Sequence, residues 1–147
     1  MNTKIQLEND LKDAIRANDD LRKRTIRLAL SSIRLSEVEK GSQLDENAVL
    51  NILQKEVKSR LESIEDAQRA SRPDLEKAAR AEIEVLERYL PRPLIAEELE
   101  ALAKQVIAET GAGSQREMGQ VMKILIPRLE GRATGEQASL VVCKLLQ

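Results

Sequence analysis

Apolar residues recur along this chain at spacings of three and four, the period of helices that bury one face. Leu7, Leu11, Ala14 and Ile15 form the first set, preceded by Thr3 and Gln6 in a capping-box pattern. Asp19 or Asp20 opens a second helix carrying Ile26, Ala29, Leu30 and Ile33, and Gly41 is placed to end it. Asp45 opens a third, with Leu44 and Val49 as a hydrophobic staple. Ile52, Leu53, Val57 and Ile64 carry that helix to about Ala70, where Arg72-Pro73 stops it. Leu75, Ala79, Ile83, Leu86 and Leu90 mark a fourth, whose Glu76/Arg80 and Glu84/Arg88 pairs have the four-residue spacing of an exposed helical face.

Leu90-Pro91-Arg92-Pro93-Leu94 interrupts the periodicity, because two prolines so close together cannot continue a helix. Leu99, Leu102, Ala103 and Val106 then give a fifth helix closed by Gly111. Ser114 with Glu117 caps a sixth bearing Met118, Val121, Met122 and Leu125, which Pro127 ends or kinks. Thr134 with Gln137 caps a seventh, with Ala138, Val141, Val142 and Leu145 on one stripe. No strand alternation competes, so the fold class is all-α. It divides into a helical unit of about four helices over residues 1–93 and a three-helix tail over 94–147, whose helices must pack together to persist.

Composition narrows the chemistry more than the fold. The 147 residues are 41% hydrophobic and 33% charged, a globular helical profile. No apolar run reaches the roughly 18 residues of a membrane span, and Met-Asn-Thr-Lys-Ile-Gln-Leu-Glu has no signal-peptide core, which reads as a cytoplasmic protein with no membrane partner. Histidine is absent and Cys143 is the only cysteine. Zinc sites and Ser-His chemistry are thereby excluded, and Cys143, among Val and Leu, reads as a small buried hydrophobe. With Phe and Trp absent and Tyr89 alone, there is no aromatic platform for stacking unpaired bases.

The remaining polar pairs have structural explanations. Ser31-Ser32 lies inside the second helix without the glycine-rich loop or lysine base of an amidase-type nucleophile. Asp19-Asp20, Asp45-Glu46 and Glu97-Glu98 all fall at helix starts, where carboxylates meet free N–H groups. No phosphate-binding loop, dinucleotide turn or Asp-x-Asp pattern occurs. The reading is therefore no catalytic residue, no cofactor and no metal.

Two basic features stand out. Arg22, Lys23, Arg24, Arg27 and Arg34 lie between Leu21 and Ser36 with no acid among them, and Lys23, Arg27 and Arg34 fall within about 40° on a helical wheel. The stripe suits phosphate tracking; the alternative is a solvated face paired with acids of a neighbouring helix. In the tail, Gly131-Arg132-Ala133-Thr134-Gly135 sets Arg132 before a helix N-terminus, with Lys123 and Arg128 upstream. That turn could clamp backbone phosphates, or simply use glycine for special dihedrals. Beyond Pro93 six basic residues face seven glutamates, and the whole chain carries −1, far from a high-affinity nucleic-acid binder.

Tyr89-Leu90-Pro91, the Glu-rich helix after it, Gly111, Met118-Gly119-Gln120-Val121-Met122, Pro127 and Gly131-Arg132-Ala133 resemble the GatB/YqeY family. That family joins the tail domain of the B subunit of glutamine-dependent tRNA amidotransferases to stand-alone YqeY proteins, and the likeness to YqeY covers nearly the whole chain. Ile95-Ala96, Thr134 and the glycine-rich Gly111-Ala112-Gly113 depart from the family's usual pattern. The resemblance implies tRNA as partner through the tail, and the charge pattern offers two candidate contacts, Lys23, Arg27 and Arg34 or Lys123, Arg128 and Arg132. A tRNA-binding or adaptor protein is the first reading, a helical module for a protein partner the second. The family label of carbon–nitrogen ligase with glutamine as amido donor is the third, for which the residues show no catalytic site.

Overall fold

The computed structural model describes residues 2–147, and every regular element among them is helical. In chain order these are α1 (Thr3–Arg16), α2 (Asp20–Lys40), α3 (Glu46–Arg69), α4 (Pro73–Glu87), α5 (Ala96–Thr110), α6 (Met118–Leu129) and α7 (Gly135–Leu145), with a short 3-10 turn at Gln115–Glu117 before α6. The chain separates into two compact units, with the division after Pro91.

In the first unit the helix boundaries follow local chemistry. Asp19 and Asp45 cap α2 and α3 by accepting from the Arg22 and Ala48 N–H groups at 3.2 and 2.8 Å. Gly41 closes α2 at φ 79°, where a side chain would be strained. The cap of α1 differs from the sequence expectation: Asn2, not Thr3, accepts from the Ile5 N–H at 3.1 Å. Thr3 is instead buried, its backbone N–H and hydroxyl both donating to the Glu46 carboxylate at the start of α3. Arg72-Pro73 does not merely stop α3. Pro73 occupies the first turn of α4, where its missing N–H costs nothing.

The core of this unit gathers Leu7 from α1, Ile26, Ala29, Leu30 and Ile33 from α2, Val49, Leu50 and Leu53 from α3, and Leu86 from α4. A smaller cluster of Ile64, Ala79 and Ile83 continues along the α3/α4 hairpin. Arg60 crosses that hairpin, 8% exposed, between the carboxylates of Glu56 and Glu82 at 2.8 and 2.9 Å.

The second unit is a three-helix bundle around Leu99, Ala103, Val106, Val121, Leu125, Leu129, Ala138, Val142 and Leu146. Thr134 and Gln137 form a complete capping box on α7. The Ser114/Glu117 box is not made, since Ser114 provides no side-chain cap and Glu117 accepts instead from the Gly113 N–H at 3.2 Å. Pro127 does not end α6 either. The helix runs two residues further to Leu129, which is buried, and Glu130 at φ 50° terminates it.

Candidate functional site

Most charged groups singled out by the sequence are held by partners inside their own unit. Lys23 meets Asp20 at 3.3 Å, Arg22 meets Asp10 at 4.0 Å and Arg24 meets Glu82 at 3.4 Å. Ser32 donates to Glu56 at 2.9 Å, while Asp19 and Asp45 serve as caps. Cys143 is half-buried, with the Gln115 amide nitrogen 3.4 Å from its sulfur. Among the described residues no buried side-chain nitrogen or oxygen lacks a hydrogen-bond partner, and no three His, Cys, Asp or Glu side chains gather as a metal site would require.

The tail arginines are occupied as well. Arg132 donates from Nε to the Arg92 carbonyl at 2.9 Å and from Nη2 to Glu98 at 3.4 Å, while its own carbonyl accepts from the Leu94 N–H at 2.8 Å. Arg92 reaches the same Glu98 carboxylate at 3.2 Å. Burial raises the Glu98 carboxyl, but the Arg92 hydrogen bond and the charges of Arg92 and Arg132 outweigh it and leave the group below its ordinary range. Arg128 pairs with Glu109. Lys123 remains exposed with no ion pair among the described residues. The tail trio is thus dispersed: two members brace the bundle and one faces solvent.

On α2 the outcome is different. Arg27 and Arg34 are exposed and form no hydrogen bond or ion pair among the described residues, though Arg34 lies close enough to Glu37 for its charge to help lower that carboxyl. Beside them run Leu28, Leu35 and Val38, exposed by 49, 61 and 79%. At 100° per residue this row points about 180° away from the Ile26/Ala29/Leu30/Ile33 stripe, and Arg27 and Arg34 line one edge of it within about 20° of each other. Hence α2 is apolar on two opposite faces, one in the core and one in solvent. Sequence reading found only the first face. The second was visible as the same seven- and three-residue spacing at 28, 35 and 38, but the buried stripe had already accounted for the helix.

These features define a two-unit, all-helical protein with a mixed apolar and basic surface on its second helix. A family profile described as Yqey-like protein matches residues 4–146, and the chain belongs to that family. It is similar to proteins named "Altered inheritance of mitochondria protein 41, mitochondrial". The Lachancea thermotolerans protein is 41% identical over 99 residues, covering 67% of this chain and 53% of that one. The Kluyveromyces lactis protein is 36% identical over 106 residues, covering 70% and 57%. That of Pyrenophora tritici-repentis is 31% identical over 135 residues, covering 90% and 74%. The chain spans about half the length of the first two relatives.

These names correct the cytoplasmic expectation. That expectation rested on missing apolar segments, which speak only to secretion and membrane insertion. Import signals of mitochondrial proteins are amphipathic and arginine-rich, and leave no apolar run to detect.

Proposed function

We propose that this protein is a non-catalytic helical adaptor that docks a protein partner on the outer face of α2. One observation carries the reading: Leu28, Leu35 and Val38 stand in solvent as a row, edged by the unpaired Arg27 and Arg34. Apolar side chains aligned on one face gain from burial against a complementary apolar surface, and roughly 25 cal/mol accrue per Å² removed from water. A phosphate backbone offers no such surface. Exposed ion pairs contribute only about 0–1 kcal/mol each, so the apolar row supplies affinity and the arginines set register.

Purifying the tagged protein from its own cells, with identification of both protein and RNA, tests the reading. A protein partner is expected with the unaltered chain and is lost with Leu35→Asp/Val38→Asp; retention by the variant sinks the proposal.

A tRNA-binding adaptor is the second reading. It is favoured by the lack of internal partners for Arg27, Arg34 and Lys123, and by the resemblance to the amidotransferase tail. Its signature is tRNA binding that weakens as salt rises and that Arg27→Ala/Arg34→Ala reduces. Under this reading Arg132→Ala acts mainly through loss of its contacts to Arg92 and Glu98.

A further inference from the structure

Resting on the reading of the α2 outer face as a protein-docking surface, we propose that its occupant is an amphipathic helix carrying two carboxylates seven residues apart along one edge of its apolar stripe. Cations without an ion pair point to the occupant's charge. At the N-terminal end of α2, Arg22, Lys23 and Arg24 already have acids, Asp10, Asp20 and Glu82. Arg27 and Arg34 form no ion pair or hydrogen bond among the described residues, Arg34 feeling Glu37 only through its charge, and both lie on the same edge of the exposed row. A guanidinium keeps its charge at any physiological pH and presents a fork that fits a carboxylate. The complement of this edge is therefore acidic.

Spacing selects the partner's conformation. Seven residues of α-helix separate Arg27 from Arg34 by about 10.5 Å along the axis. An extended segment covers that distance in about three residues, and residues three apart in a strand point to opposite faces. It could meet one arginine but not both from the side that also covers Leu28 and Leu35. A helix running alongside α2 repeats every seven residues at the same rise, so one of its edges meets both arginines while its apolar stripe covers Leu28, Leu35 and Val38. A second copy of α2 packed antiparallel would set the arginine edge against itself, which like charges disfavour.

The test uses the full-length chain and two labelled synthetic helical peptides with the same leucine stripe. One carries Glu at two edge positions seven apart and the other Lys at those positions. Fluorescence anisotropy is expected to show the Glu peptide binding at least tenfold more tightly than the Lys peptide. Arg27→Glu/Arg34→Glu should reverse the ranking, and Leu35→Asp/Val38→Asp should remove binding of both while circular dichroism shows unchanged helix content. Absence of binding by either peptide, equal binding by both, or a ranking that the charge reversal leaves intact would overturn the proposal. So would a dimer in sedimentation that Leu35→Asp/Val38→Asp dissolves, because the row would then belong to self-association. Failure of the charge ranking, with cellular partner capture still lost in Leu35→Asp/Val38→Asp, rejects this occupant alone; capture that persists in that variant rejects the docking reading itself.

Discussion

The Tyr89 hydroxyl donates to the Asp10 carboxylate over 2.5 Å, tying the turn after α4 to α1 across 79 positions of sequence. Burial, then the hydrogen bond and the Asp10 charge, hold the phenol well above its ordinary range, with Arg22 opposing. A raised phenol pKa means that its contribution to stability is complete below the ordinary tyrosine value near 10 and is lost as pH climbs through the raised one. Because Tyr89 is the only aromatic residue, phenolate absorbance reports it alone. Its ionisation is expected to coincide with alkaline unfolding followed by circular dichroism; titration at the ordinary value in the folded protein would contradict the contact. Tyr89→Phe should cost about 1–2 kcal/mol in urea unfolding, since it leaves the Asp10 side short of a donor.

An acid-side prediction concerns Glu37. Its carboxylate accepts from Lys4 Nζ at 2.8 Å and from the Leu44 N–H at 3.1 Å, and these two bonds hold its pKa below the ordinary range. A depressed carboxyl contributes stability above the unfolded value, and the contribution disappears as pH falls through the folded one. The urea midpoint should therefore fall as pH drops below about 4.3, and Glu37→Gln should flatten that limb of the profile. Identical acid limbs for the two proteins would count against the assignment.

Arg60 offers a larger effect. Replacing it by Ala leaves Glu56 and Glu82 facing each other across the α3/α4 hairpin without their shared cation. Loss of about 2–3 kcal/mol is expected from chemical denaturation, at or below the low end for a broken buried pair because both carboxylates keep some solvent access. A cost under about 0.5 kcal/mol, the range of ordinary surface substitutions, would show that the network carries little.

Ser71, at φ 55° between α3 and α4, is a non-glycine residue in the left-handed region. Ser71→Gly should raise stability by about 0.5 kcal/mol, the relief of the side-chain clash exceeding the entropy that glycine adds to the unfolded chain. Thermal melts that show destabilisation would place a side-chain role at Ser71.

Local signals were the most legible in the sequence. Asp19, Asp45, Gly41, Gly111 and the Thr134/Gln137 box act on backbone groups within a few residues, so reading them needs no tertiary knowledge. The all-α class followed from the same periodicity. Thr3 was misread because its partner, Glu46, is 43 residues away, while of the two outcomes open at Pro127, an end or a kink, the helix end is absent, since α6 continues to a buried Leu129. For the charges the difficulty was matching: Arg132 looks like a free cation until Arg92 and Glu98 fold against it, while Arg27 and Arg34 look the same and form no ion pair among the described residues. Net charge cannot separate these cases, because it counts cations without their neighbours.

The grip of Arg132 on the Arg92 carbonyl and Glu98 bears on how the tail can be excised. A polypeptide starting at Leu94 keeps all three tail helices and the Leu94 nitrogen that meets the Arg132 carbonyl, but it discards the Arg92 carbonyl and leaves one arm of the guanidinium to water. Starting one residue before Arg92 retains the brace, with Pro91 limiting fraying at the new terminus. The useful scissile point for an isolated tail therefore lies within the proline-flanked segment itself, upstream of Arg92, rather than at the first turn of α5.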